Sequence, residues 1–186
     1  QATRLVPLAT APIGGSRLSP TRGLGQGVTI RGVEISAKTD YAVRAMLELA
    51  NAAEPDAAPV SVDVLAKGQG LPRKFLEAIL ADLRRAGLVI STKGARGGYR
   101  LARPAAEIPI GSVFRAVDGP LAEVRGRRPH QTEYEGVAEH LPVLWVAVRA
   151  SLRQVLDDTS LEQLRTGALP QRVRELADEP DAWVSR

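Results

Sequence analysis

The sequence has no cysteine, only two histidines, and no apolar run near the roughly eighteen residues that a membrane-crossing helix requires. The first absence removes disulfides, thiolate metal sites and cysteine nucleophiles together. The second leaves an acid–base enzyme poorly supported, and no Ser–His–Asp arrangement can be singled out. The third excludes a helical membrane span. Acidic residues are also missing from positions 1 to 32, which carry Arg4, Arg17, Arg22 and Arg31 and so hold the entire formal charge of +4.

What is present is ordinary in amount and uneven in placement. The 186 residues suffice for one domain of common size or for a small domain with a dimerisation element. Hydrophobic residues at 44% and charged residues at 25% are usual for a soluble globular chain. Arginine outnumbers lysine 21 to 4, which reads as the coding bias of a GC-rich genome. Beyond residue 32 the charges cancel, but not locally. Residues 67 to 103 hold nine basic side chains against two acidic, whereas residues 105 to 186 hold ten basic against thirteen acidic. A basic segment beside an acidic one is expected where one part meets phosphate and the other does not.

Residues 1 to 32 are rich in Gly, Pro, Ser and Thr, show no helical or strand period, and read as a disordered N-terminal extension. Pro7 and Pro12 interrupt the only apolar stretch there, which argues against a secretory signal. Order is expected from Glu34, with Ser36 as N-cap and Ala42, Val43, Ala45, Met46, Leu47, Leu49 and Ala50 at helical spacing up to about Ala53. Ser61 then caps a short helix, Val62-Asp63-Val64-Leu65-Ala66-Lys67, closed by Gly68 and Gly70. Pro72 stands where a first helical residue belongs, Phe75, Leu76, Ile79, Leu80 and Leu83 point inward, and Gly87 supplies the left-handed stop. Leu88 to Thr92 and Tyr99 to Leu101 are β-prone around the turn Lys93-Gly94-Ala95-Arg96-Gly97-Gly98. Helix, short helix, glycine turn, helix and hairpin make the order of a winged helix-turn-helix over residues 33 to 104.

A further short helix is expected from Ile110 to Val117, broken by Asp118-Gly119-Pro120, followed by polar, irregular residues 121 to 136. A long helix from about Val137 to Asp157 carries Leu141, Leu144, Val148, Leu152 and Val155, spaced three, four, four and three apart, as an a/d-like dimerisation seam. Residues 105 to 166 thus form a connecting helix, a loop and a dimerisation helix, with a capped helix from Ser160; residues 167 to 186 are a tail with weak helical potential at Arg172 to Ala177. The fold class is mainly α with a small β-hairpin wing.

If the helix starting at Pro72 enters a major groove, Arg73, Lys74 and Glu77 reach the base edges. Arg and Lys donate to guanine O6 and N7, and Glu accepts from cytosine N4. Alone, these three would read as a solvated face; the order of elements around them favours the groove. The Gly94-x-x-Gly97-Gly98 turn is followed by a strand, not the helix that a phosphate cradle needs. A plain hairpin turn would not require Lys93 and Arg96 beside the glycines; a wing in the minor groove would. Lys38, at the start of the first helix, completes the candidate DNA-binding set, and Arg84 and Arg85 divide evenly between phosphate contacts and solvated surface. His130 and His140 lie near Glu133, Glu135 and Glu139, but the spacing matches no HExxH or HxxH template, so a polar surface is favoured over a zinc or iron site.

The segment from Ile35 to about Leu164 resembles the bacterial regulator family that includes IscR, NsrR and CymR, the Rrf-two family. The resemblance is carried by Ile35-Ser36-Ala37-Lys38-Thr39-Asp40-Tyr41-Ala42-Val43-Arg44-Ala45-Met46, Pro72-Arg73-Lys74-Phe75-Leu76-Glu77, and Gly87-Leu88-Val89 through Arg96-Gly97-Gly98-Tyr99-Arg100-Leu101. Ala116-Val117-Asp118-Gly119-Pro120-Leu121 and Leu144-Trp145 extend it. It implies a homodimer on the long helix that binds a palindromic operator and usually represses, with Lys74 and Glu77 reading bases and Lys93 or Arg96 in the minor groove. Many members hold an iron–sulfur cluster on three cysteines in the segment matching residues 121 to 140. Here Glu139 and Pro142 stand in such positions, so a thiolate-held cluster is excluded and no cofactor is expected. The expected function is a cytoplasmic, dimeric, sequence-specific repressor, with double-stranded DNA, a second copy and an unidentified small-molecule or protein effector as partners, and no membrane. The alternative is a protein-interaction module that docks a partner enzyme on the helix spanning 137 to 157.

Overall fold

A computed structural model describes residues 35–53, 57–94 and 96–184. The expectation of a disordered extension over residues 1 to 32 lies outside them. The first helix, α1 (Ala37–Asn51), begins where Ser36 accepts the Thr39 amide at 3.0 Å and ends beyond Ala50. Its buried face, Thr39, Ala42, Ala45, Met46, Leu49 and Ala50, follows the helical period and forms the centre of the core. Ser61 caps α2 (Val62–Gln69) in the same manner, and Gly70 terminates it at φ 63°.

Pro72 turns out to be the residue before α3 (Arg73–Arg85), in an extended conformation at φ −60° and ψ 127°, where its missing N–H costs nothing. Leu76, Ile79, Leu80 and Leu83 are fully buried. Phe75, expected inward with them, instead sits at the rim, 38% exposed, with its ring edge-on to Tyr41 at 5.6 Å. At the helix end the Gly87 amide donates to Arg84 O and the Leu88 amide to Leu83 O, a Schellman closure that needs the left-handed φ of 70° at Gly87. The chain is thereby aimed into β1 (Val89–Thr92), antiparallel to β2 (Gly98–Leu101) in the register Val89↔Leu101 to Thr92↔Gly98.

An unexpected third rung joins this hairpin. Val60 and Tyr99 exchange both backbone hydrogen bonds, at 2.9 and 2.8 Å, so the approach to α2 is pinned to the wing.

The core does not stop at residue 104. Ile108, together with Ile110, Val113 and Val117 of α4 (Ile110–Asp118), is buried in the same cluster as α1 and α3. Past α5 (Leu141–Leu156) the chain returns: Ile110 N donates to Thr159 O and Leu161 N to Ile108 O, seating Leu161 of α6 (Leu161–Thr166) in the core. Ser160 and Gln163 cap α6 reciprocally, as expected, and α7 (Gln171–Ala177) occupies the segment of weak helical potential. The long helix begins four residues later than expected, after a single 3-10 turn at Gly136–Ala138. A helix begun at Val137 would place Pro142 in its interior, without an amide hydrogen and against the carbonyl one turn back; started at Leu141, Pro142 lies harmlessly in the first turn.

One polar cluster ties three helices together. Lys38 Nζ donates to Asp82 Oδ2 of α3 at 2.6 Å and to Val117 O of α4 at 2.9 Å. The buried Thr39 hydroxyl and Ser36 Oγ both donate to Asp118 Oδ2, at 2.6 and 2.5 Å. The Lys38 hydrogen bond, reinforced by one from Arg85, holds the Asp82 carboxyl below its ordinary value. A carboxylate depressed in the folded state contributes stability that is complete above its unfolded pKa of about 4 and is lost as pH falls through the folded value. Asp82→Asn should therefore lower unfolding free energy at pH 7 by about 1–3 kcal/mol and flatten the acid limb below pH ~4, as urea titrations across pH would record.

Candidate nucleic-acid interface

The reading face is built at the start of α3. With Leu76, Ile79, Leu80 and Leu83 buried, the helical period turns Arg73, Lys74, Glu77 and Ala78 outward, all exposed. Arg73 does not stand free. Its Nη1 donates to both Asp63 carboxylate oxygens, at 2.8 and 3.0 Å, and its Nε to Glu77 Oε1 at 2.8 Å. The Glu77 hydrogen bond first, then the charge of Asp63, raises the Arg73 pKa. With all three side chains at least 46% exposed, water weakens these pairs, so the guanidinium can exchange them for phosphate or guanine. Lys74 is exposed and makes no ion pair among the described residues. The expected triad is therefore two states of readiness: a free ammonium, and an arginine held in place by its neighbours.

Sequence reasoning missed Asp63. It carries no signal as a helix N-terminal acid; only the turn between α2 and α3 brings it to Arg73.

The wing presents Lys93 and Arg96, both exposed, on either side of a tip where Gly94 adopts φ 109°. Gly97 and Gly98 have another reason to be glycine. A Cβ on Gly97 would collide with Thr92 O, and one on Gly98 with Val60 O. They close the hairpin and admit the Val60 rung, independently of any groove. Arg84 is exposed and reaches Ser91 Oγ at 3.3 Å, while Arg85 pairs with Asp82 at 2.7 Å. Lys38, expected to touch DNA, donates to Asp82 and to Val117 O within the fold, because the α1 start faces the ends of α3 and α4.

No residue of α5 is fully buried. Leu141, Val148, Leu152 and Val155 of the expected seam are half-buried, on the same side as Trp145. Leu144, one turn from Leu141 and Val148 on that same side, is 52% exposed, and Val143 and Val146 elsewhere on the helix are 72% and 43% exposed. His130 and His140 are both exposed; His140 Nε2 lies 3.4 Å from Glu139 Oε1.

Three helices around one core, the third presenting a basic N-terminal face beside a two-stranded wing, define a winged helix-turn-helix DNA-binding transcriptional regulator. The chain belongs to the Rrf2 family, described as an iron-dependent transcriptional regulator, whose sequence model matches residues 35–167. It is similar to an HTH-type transcriptional regulator of Mycobacterium tuberculosis (strain ATCC 25618 / H37Rv), 48% identical over 153 residues, covering 82% of this chain and 94% of the relative. It is 33% identical to the HTH-type transcriptional regulator CymR of Bacillus subtilis over 135 residues, covering 71% of this chain and 89% of the relative. Among solved structures, CymR of B. subtilis, the global cysteine regulator of that organism, superposes with a TM-score of 0.61 at 34% identity, covering 73% of this chain and 98% of that one. IscR of T. potens gives 0.57 at 30% identity, covering 83% and 94%.

The iron in the family description meets no fitting donor set. The chain has no thiolate to offer, and no three His, Asp or Glu side chains converge on a common point among the described residues.

Proposed function

We propose that the protein acts in the cytoplasm as a homodimeric repressor on a palindromic operator, without a resident iron–sulfur cluster and without enzymatic activity. The observation that carries this reading is the start of α3, where a free Lys74 stands beside an Arg73–Glu77 pair that water leaves exchangeable. Affinity comes from Lys and Arg contacts to phosphate, and base selection from Arg73, Lys74 and Glu77, with Lys93 and Arg96 in the minor groove. Lys38 stays in this set as a phosphate contact, two of its three ammonium donors being engaged within the fold. Dimerisation is assigned to α5, where exposed Leu144 and half-buried Leu141, Val148, Leu152 and Val155 share one helix face that one copy leaves partly uncovered.

Selection of genomic fragments bound by the purified chain should enrich a short inverted repeat, and sedimentation of the complex should give two protomers per site. Leu144→Glu should shift the free protein toward monomer and weaken operator retardation. Recovery of a partner enzyme with no enriched DNA would favour α5 as a docking surface for another protein instead.

A further inference from the structure

A second basic feature lies away from the reading head. A cleft of about 290 Å³ is lined by Arg115 of α4, Leu121 and Arg128 of the following segment, Arg149 and Arg153 of α5, and Asp157 just past its end. Four guanidiniums thus face one carboxylate. Asp157 is already shared, accepting from Arg115 Nη1 at 2.7 Å and Arg153 Nε at 3.1 Å. Arg128 and Arg149 form no ion pair among the described residues, and the Arg149 Nε is fully buried with no hydrogen-bond partner among them. Gathering like charges costs energy through mutual repulsion, and burying a guanidinium donor without an acceptor adds its desolvation. Such an arrangement is stabilised when an anion supplies the missing acceptors, and the planar guanidinium fork suits carboxylate and phosphate oxygens.

The cleft is at the small end of ligand-site volumes. The lining carries an excess of three positive charges, which favours a small occupant of matching negative charge over a neutral metabolite. We propose that this cleft is a binding site for a compact small-molecule anion bearing two or three negative charges, the chemistry shared by phosphate compounds and di- or tricarboxylates. The site joins α4, which is anchored in the core by Val113 and Val117, to α5, which has no fully buried residue. An anion bridging Arg115 and Arg128 to Arg149 and Arg153 links the two helices. Its use as an effector site rests on the DNA-binding reading above; its occupancy does not.

The test is isothermal titration of the full chain with two probes, inorganic pyrophosphate and citrate, at constant ionic strength, with glycerol as the neutral control. One probe, or both, should bind at one site per chain, and comparison of the two distinguishes phosphate from carboxylate preference. Arg149→Met and, on the loop side, Arg128→Gln should each weaken binding by about tenfold or more. A chain carrying Arg73→Ala and Lys74→Ala should bind the probe as the parent does, which separates this cleft from the DNA surface. The proposal is overturned if neither probe binds at millimolar concentration, or if both cleft variants bind as the parent does. It is also overturned if Arg149→Met dissociates a dimer in sedimentation, which would assign these arginines to a contact with acids of a second copy.

Discussion

A chain carrying Arg73→Ala and Lys74→Ala should lose about 30- to 1,000-fold in operator affinity while its Tm stays within about 2 °C of the parent. Both positions are exposed, and neither contributes to the core that Leu76, Ile79, Leu80 and Leu83 build on the other side of α3. The two single variants should differ in kind. Lys74 has no ion pair among the described residues to give up, so its removal should lower the slope of log affinity against log salt by about one, if it meets phosphate. Arg73 must first leave Asp63 and Glu77, and Ala at that position also frees two carboxylates beside the DNA. Its loss should therefore weaken binding through repulsion as well as through the missing contact. Retardation assays from 50 to 200 mM salt, with circular dichroism melts of each variant, separate these effects. Unchanged retardation of the double variant at moderate salt would mean that α3 is not the reading helix.

Gly98→Ala is expected to damage the wing through a single added methyl. The added carbon would press on the Val60 carbonyl, which accepts the Tyr99 amide while the Val60 amide donates to Tyr99 O, so the close approach is held by both bonds of that pair. Overpacking of this kind costs about 1–3 kcal/mol, and the Val60 rung is the first contact to give way. Urea unfolding should record that loss, and operator affinity should fall with it as the wing loosens. Lys93→Ala with Arg96→Ala offers the contrast: both side chains are exposed, so stability should hold while the salt dependence of binding declines. If Gly98→Ala unfolds normally and binds normally, the Val60–Tyr99 rung does not support the wing.

Those two variants also mark how far the sequence could be read. The helices were legible because their signals are local. Ser36, Ser61 and Ser160 cap, Gly70 and Gly87 stop, and the apolar period of α1 and α3 names most of the buried face. Phe75 was misread because a period identifies a side of the helix, not how deeply its first turn is inserted. The start of α5 was misread because the apolar pattern runs through Val137, while the decisive constraint is Pro142 within the first turn. Its seam residues share one side at unequal exposure, because an a/d spacing cannot say how far the chain itself will cover that side: Leu144 is 52% exposed while Leu141, Val148, Leu152 and Val155 are half-buried.

The candidate site divides in the same way. Residue chemistry placed basic side chains at the start of α3 and at the wing, and the structure keeps Lys74, Lys93 and Arg96 exposed there. Charge alone points Lys38 to DNA, and its pairing with Asp82, 44 residues further on, is not legible locally.

From the sequence alone followed the order of elements, their caps and stops, the basic segment, and the exclusion of thiolate chemistry, since each depends on residue type or on neighbours within a turn or two. Only the tertiary structure decided which charges are free. Asp63 reaches Arg73 across a turn, Asp82 claims Lys38 across the core, and Asp157 serves two arginines while the Arg149 Nε has no acceptor among the described residues. The reason is physical: helical periodicity is a property of neighbouring residues, whereas the partner of a charge is whatever the folded chain brings within hydrogen-bonding distance.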